Sequence, residues 1–252
     1  GALSIEFRDG SPLIPSIGST TFIGFRGGEI TLPKHITSIG VRAFEGASNL
    51  RYLIVPDSVT TISQSALTPT SSLRTVVLPS GLTTLGTTVF GSAIQTVVYC
   101  GSTSAVQNYA YPNSVVPVCG KAAIFEPNGG SGTMNAQVRT TAGALTTNGF
   151  NRSGYVFNGW NTKADGTGVS YSYTANYNFS SHIVLYAQWT VPDVTAPTFL
   201  TTTAQSKSEN QSTVTNILVN ESATISINGG SDQVKFSLSR VADSATTLLF
   251  IS

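Results

Sequence analysis

Leu50-Arg51-Tyr52-Leu53-Ile54-Val55-Pro56-Asp57-Ser58-Val59-Thr60-Thr61-Ile62 decides the fold of the first half of this chain. Its apolar residues recur in one register at a spacing of 23 residues, in copies before and after it. Pro33, Pro56 and Pro79 each close a short apolar strand: Ile30-Thr31-Leu32, Leu53-Ile54-Val55 and Val76-Val77-Leu78. Aliphatic residues follow each proline (Ile36, Val59, Leu82, then Ile39, Ile62, Leu85). A small residue and a bulky one come next, as Ala43-Phe44, Ala66-Leu67 and Val89-Phe90, and the following units open on Leu50, Leu73 and Ile94. An imperfect earlier copy reads Ile14, Ile17 and Phe22. The last unit is two residues shorter, so Cys100 takes the proline position. A fixed period of this size predicts a solenoid whose coils bury their apolar faces against each other.

A solenoid needs a capped end, and Ser102 to Pro117 reads as that cap. Ser104-Ala105-Val106-Gln107 matches a capping box, Val106, Tyr109 and Ala110 share one helical face, and Pro112 stops the helix. Cys100 and Cys119 lie close in sequence, each beside a glycine, a placement that suits a local disulfide and an oxidising compartment. Strand alternation puts Leu53 and Val55 inside and Tyr52 and Ile54 outside. Stacking then aligns two outward columns, Thr31, Ile54, Val77 and Val98 beside Glu29, Tyr52, Thr75 and Thr96. This partly apolar sheet face is the expected partner-binding surface, although β-branched residues also stack on strands for their own sake.

On the pattern Leu50-x-x-Leu53-x-Val55-Pro56-x-x-Val59-x-x-Ile62, with the preceding Ala43-Phe44, residues of about 10 to 120 resemble the BspA-like leucine-rich repeats. The resemblance implies a parallel sheet on one side of a curved solenoid, and binding of proteins or matrix at a cell surface.

Beyond Gly120 the pattern changes. Ala122-Ala123-Ile124-Phe125 reads as a strand and Pro127-Asn128-Gly129-Gly130 as a turn. Gly154-Tyr155-Val156-Phe157-Asn158-Gly159-Trp160, the Asp165-Gly166 turn and a closing strand Ile183-Val184-Leu185-Tyr186-Ala187-Gln188-Trp189 follow. Large aromatic side chains supply a core for a small module. These residues are similar to the Listeria–Bacteroides repeat, the internalin-type B repeat, which implies a small β-grasp fold and an extracellular spacer or binding module without chemistry of its own.

Val191-Pro192-Asp193-Val194-Thr195-Ala196-Pro197 reads as a stiff linker. Short β-prone runs follow at 214–219, 223–227, 234–238 and 248–251, with a hairpin or tight turn at Asn228-Gly229-Gly230. Through Ala196-Pro197-Thr198-Phe199, Ser208-Glu209-Asn210 and Gly229-Gly230-Ser231-Asp232 this segment resembles cadherin-like or immunoglobulin-like repeats. It is shorter than a full sandwich. The expectation is a longer parent chain that continues past Ser252, or a second chain that supplies strands. A signal peptide removed before Gly1, or a start inside a longer polypeptide, fits the N-terminal sequence.

The bulk numbers narrow the function further. Only 10% of the 252 residues are charged and the formal net charge is +1, which gives no electrostatic reason to expect nucleic acid or anionic lipid. No apolar run approaches the roughly 18 residues that span a bilayer. His35 and His182 fall in different modules and no close-spaced His or Cys set suggests zinc. Ser180-Ser181-His182 lacks a nucleophile elbow, no phosphate-cradling loop is present, and twelve scattered acids offer no obvious catalytic pair. Asp193, Glu209 and Asp232 are the candidate calcium ligands, without the dense acidic linker that calcium favours. Sequons stand at Asn151, Asn178, Asn210 and Asn220.

The sequence therefore predicts a mainly β, multi-domain, secreted or cell-surface protein. Residues 1–120 are a leucine-rich solenoid with its cap, 121–190 a β-grasp repeat, and 191–252 a linker and partial β-sandwich. The expected function is adhesion or recognition of a protein, extracellular-matrix or cell-surface ligand, without catalysis or cofactor. The alternative is a structural spacer or a self-associating fibre subunit.

Overall fold

A computed structural model of the chain describes residues 4–6, 15–192, 223–230, 233–240 and 246–250. Gly1–Thr190 forms one compact unit and Val191–Ser252 a second.

The solenoid is built from very short strands. In chain order they are β1 (Ser4–Glu6), β2 (Ser16–Ile17), β3 (Glu29–Thr31), β4 (Ser38–Ile39), β5 (Tyr52–Ile54), β6 (Thr61–Ile62), β7 (Thr75–Val77), β8 (Thr84–Leu85) and β9 (Thr96–Val98). β5, β7 and β9 form one parallel sheet, with Tyr52 opposite Thr75 opposite Thr96, the register the 23-residue spacing predicts. β2, β4, β6 and β8 make a second parallel ribbon on another side of the coil, which the strand reading had not anticipated. Between the two, the proline begins a turn, closed by Val59 N–H donating to the Pro56 carbonyl at 3.0 Å and Leu82 N–H to that of Pro79 at 3.1 Å.

The column inside is apolar from end to end. Leu53, Val76 and Val97 are fully enclosed, as are Phe44, Leu67 and Ile62. Each coil also turns one corner in the left-handed region, at Thr20, Arg42, Ser65 and Thr88, with φ between 52° and 57°. A non-glycine residue there costs roughly 1–2 kcal/mol. The corners recur because their amides bond from coil to coil: Thr20 to the Val41 carbonyl at 3.1 Å, Ser65 to that of Thr87 at 3.1 Å. The absence of glycine at these positions concealed the corner in the sequence.

The cap helix α1 (Ser104–Gln107) is a single turn. Its N-cap is Thr103, with no side-chain capping bond, so the predicted Ser104 box does not form. The Thr103 carbonyl instead receives the amides of Val106 and Gln107. The helix ends well before Pro112, and Ala110 is exposed. Val106 and the half-buried Tyr109 close the column, with Tyr109 edge-on to Phe90 at 5.4 Å. Val118 then pairs in parallel with Val98, adding a rung to the sheet, and a disulfide joins Cys100 to Cys119.

The second module contributes β10 (Lys121–Glu126), β11 (Gln137–Arg139), β12 (Gly143–Ala144), β13 (Val156–Asn161), β14 (Ser170–Tyr171), β15 (Asn176–Tyr177) and β16 (Ile183–Thr190). Five of them form a sheet in the order β11-β10-β16-β13-β14, with the first and last strands parallel at its centre. Residues 121–190 contain no helix. One face of the sheet is covered by an aromatic core in which Trp160 meets Phe125 and Phe157, each at 4.8 Å, and Phe150 at 6.2 Å. The turn signals are used as read: Asn128 and Gly129 take φ of 46° and 86°, and Gly166 takes 79°.

In the last unit β17 (Ala223–Gly230), β18 (Gln233–Arg240) and β19 (Thr246–Phe250) form an antiparallel meander. β17 runs through Asn228-Gly229-Gly230, and Gly230 pairs with Gln233, so the reversal falls after the predicted turn. The predicted strand at 214–219, the candidate calcium ligands Asp193, Glu209 and Asp232, and the sequons at Asn210 and Asn220 lie outside the described residues.

Candidate functional site

β10 and β16 are apolar on both faces, and this dictates how the first unit is assembled. Along them, Ala123, Phe125, Leu185 and Ala187 enter the aromatic core of their own module. Ala122, Ile124 and Val184 point the other way, onto the solenoid sheet, where they pack with Tyr52, Val77 and Val98. The face expected to be free for a partner is therefore covered by the chain's own second module. Tyr52, Thr75, Val77, Thr96 and Val98 are 8%, 3%, 5%, 9% and 2% exposed. Glu29 and Ile54 are half-buried, and Thr31 is open. Strand alternation assigned these side chains to one face correctly. It carried no information about what lies against that face.

The connection between the modules leaves little freedom. Cys119 is bonded to Cys100, and the Gly120 amide donates to the Cys100 sulfur at 3.2 Å. A β-carbon on Gly120 would stand 2.8 Å from the Arg139 carbonyl oxygen, so only glycine passes there. β10 starts one residue later.

One end of the seam is fastened by polar groups. Arg51 places Nε and Nη2 on the same oxygen of Glu126, a carboxylate whose side chain is 2% exposed. Burial pushes the Glu126 carboxyl above its usual range, and the bonds from Arg51 partly counter this. Beside them the Tyr52 hydroxyl donates to Glu29 Oε2 at 2.9 Å, and the Tyr186 hydroxyl donates to the same oxygen. Burial, followed by the neighbouring phenol and carboxylate, raises the Tyr52 hydroxyl well above a free phenol. Burial raises that of Tyr186 as well, and its bond to Glu29 adds to this. The two acids, nearly a hundred residues apart in sequence, thus share one polar cluster, in which Arg51 reaches Glu126 and Tyr186 reaches Glu29 from the facing module while Tyr52 holds Glu29 from its own. Sequence reasoning missed this pairing entirely, because only the docking of the modules creates it.

At the other end the seam opens into a cleft of about 540 Å³. Ile54, Val77, Val98 and Val184 give it an apolar floor, and Lys34, Asp57, Lys121 and His182 stand on its rim. His182 Nδ1 accepts the Ala122 amide at 3.1 Å, which leaves the ring proton on Nε2. Burial, followed by the Lys121 charge, lowers the His182 pKa, with Asp57 opposing weakly. Of the eight residues expected to bind a partner, Thr31, Ile54, Val77 and Val98 reach this cleft from one column, and Tyr52 from the other. Glu29, Thr75 and Thr96 do not line it. Among the described residues there is no group of three or more His, Cys, Asp or Glu side chains placed to hold a metal ion.

Residues 4–116 match the family model for the BspA type leucine rich repeat region, in six copies. Residues 122–188 match that of the Listeria-Bacteroides repeat domain. The chain carries both repeat types. The BspA-type and Listeria-Bacteroides matches stop on either side of the Cys119-Gly120 connection, where the structure passes from one module to the other. No curated protein and no solved structure matches the chain. Among the described residues no helix is long and apolar enough to cross a membrane. Leucine-rich repeats generally mediate protein interactions, and the BspA type is typical of surface or secreted proteins.

Proposed function

We propose that this chain is a secreted or cell-surface recognition protein that binds a protein or extracellular-matrix ligand without catalysis. The observation that carries this reading is the cleft left at one end of the sealed module seam, with its apolar floor and mixed-charge rim. Such concave, mostly apolar sites with a few polar groups are the usual form of a binding site. The disulfide, partly accessible at the surface, agrees with an oxidising location. The carboxylates drawn together in the seam are engaged by arginine and tyrosine, which leaves them a fastening role. Bonded hydroxyls and an ion pair between modules also support a body that holds its shape while bound.

The test is attachment. Beads carrying the purified chain are expected to bind collagen-, fibronectin- or laminin-coated surfaces, or epithelial cells, saturably and several-fold above blank beads. An Ile54→Arg variant, which fills the open end of the cleft, should lose most of that attachment. Wild-type beads that attach no better than blank beads would sink the reading and favour a spacer or fibre role.

A further inference from the structure

The rim of the cleft is chemically uneven, and we propose that it selects an amphipathic carboxylate. The carboxylate would sit at Lys121 and His182, with a branched or linear apolar body along Ile54, Val77 and Val184. This rests on the recognition reading of the same cleft and gives its ligand a chemistry.

Lys34 and Asp57 hold the same position in successive coils, 23 residues apart, so opposite charges stand side by side along the solenoid edge. Lys121 comes from the other module and forms no salt bridge among the described residues. With His182 neutral, the rim carries one positive charge in excess. His182 is held in place by the Ala122 amide at Nδ1, so its Nε2 is the donating nitrogen. An ammonium beside a fixed N–H donor is a receptor for one carboxylate, since charge-assisted bonds to both are the strong kind. Asp57 on the facing rim disfavours a phosphate dianion, which would need more than one excess positive charge. Tyr52 is the lone phenyl-type ring in the lining, and it is buried against the second module, so no stacking platform for a sugar ring is offered. The floor is β-branched and apolar, and the volume of about 540 Å³ falls in the range of small-ligand sites.

The experiment uses the full chain and four probes: acetyl-Val-Leu as free acid and as amide, and octanoate with octanamide. Amide ¹H–¹⁵N shifts report binding. The acids are expected to saturate, moving signals of residues 120–122, 182–184 and 54–57, with the amides at least about tenfold weaker. Whichever acid binds more tightly names the source as peptide C-terminus or fatty acid. Lys121→Gln, at an exposed position, should weaken the acids about tenfold and leave the amides unchanged. His182→Asn keeps an acceptor for the Ala122 amide and removes the Nε2 donor, so it should cost the acids about threefold. Equal binding of acids and amides overturns the proposal. So do undiminished acid binding in Lys121→Gln, shifts confined to another surface, or no saturable shift up to about 10 mM. The two readings fail separately. Bead attachment that persists without any acid preference removes this proposal alone, and acid binding without bead attachment removes the matrix-adhesion reading alone.

Discussion

The two columns of the solenoid ladder meet different surroundings although they share the same strands. Glu29, Tyr52, Thr75 and Thr96 lie beneath the second module, and the three that are uncharged are all buried. Thr31, Ile54, Val77 and Val98 are buried at the cap end and open progressively toward Thr31. The more polar column is the more completely closed. Polar groups can be taken out of water only where partners await them; Tyr186 reaches across the seam to Glu29, which also receives the Tyr52 hydroxyl, and Arg51 meets Glu126 alongside. The apolar column needs no hydrogen-bond partners, so ending in an open cleft strands no polar group and costs only the burial that its last side chains forgo. Burial on this sheet is set by the facing module, and polarity alone does not foretell it.

Placing a charge in the sealed part should break this arrangement most severely. Ile124 is 3% exposed and packs on Tyr52, Val77 and Val98. Ile124→Asp is expected to cost about 4 kcal/mol or more, by burying a charge without a partner. Limited proteolysis should then cut near residue 120, where the modules come apart, and thermal unfolding should split into two transitions. A single transition with a small loss would mean the seam does not hold the modules together.

Arg51→Met comes next, with an expected loss of about 3 kcal/mol, since it strands a buried carboxylate. The loss should depend on pH with a defined sign. Glu126 titrates above its ordinary 4.5 in the folded chain, so the native state holds its proton more tightly than the unfolded one. Stability therefore falls as pH rises from about 4.5 through the folded value. Removing Arg51 takes away the contact that lowers the Glu126 pKa, so the fall should steepen and extend upward. Urea midpoints between pH 4 and 8 measure it, and Arg51→Met with Glu126→Gln should flatten the curve and recover most of the loss.

Much of this was legible in the sequence. The spacing of Pro33, Pro56 and Pro79 gave the coil, the strand register and every fully buried leucine, isoleucine and valine from Ile36 to Leu82, though not the equally buried Ala47. The glycine turns and paired tryptophans gave the aromatic module. The closed face was not read, although a signal for it was present. In Ala122-Ala123-Ile124-Phe125 and Ile183-Val184-Leu185 both alternating sets are apolar, which marks a strand buried on both faces. One face of β10 accounts for the aromatic core, and the other had to cover something. Which surface it covers depends on the short Cys119-Gly120 connection and on partners distant in sequence, such as Arg51 with Glu126. No local pattern encodes those.

The disulfide tests the same connection with a similar or slightly smaller effect. Cys100→Ser with Cys119→Ser opens a loop with a sequence separation of 19, worth about 3 kcal/mol in the chain-entropy model. Because Val118 pairs with Val98 beside this bond, the loss should appear first as faster hydrogen exchange in the cap and the 118–122 connection. Protection that falls first in the coils near Ile39 would show that the cap is not where the solenoid frays.

The finest test runs along the apolar column itself. Truncation to alanine removes apolar contacts in proportion to how tightly each site is enclosed. Val98→Ala, at a site 2% exposed, should cost roughly 2 kcal/mol. Ile54→Ala deletes a larger side chain but from a half-buried site, so about 1 kcal/mol is expected. Thr31→Ala at the open end should fall within about 0.5 kcal/mol of wild type. A ranking by side-chain size would put Ile54 first, whereas a ranking by enclosure puts Val98 first. Chemical denaturation of the three variants separates the two orders. Ile54→Ala costing more than Val98→Ala would mean that the second module closes the whole column, with no room left for the cleft on which ligand binding depends.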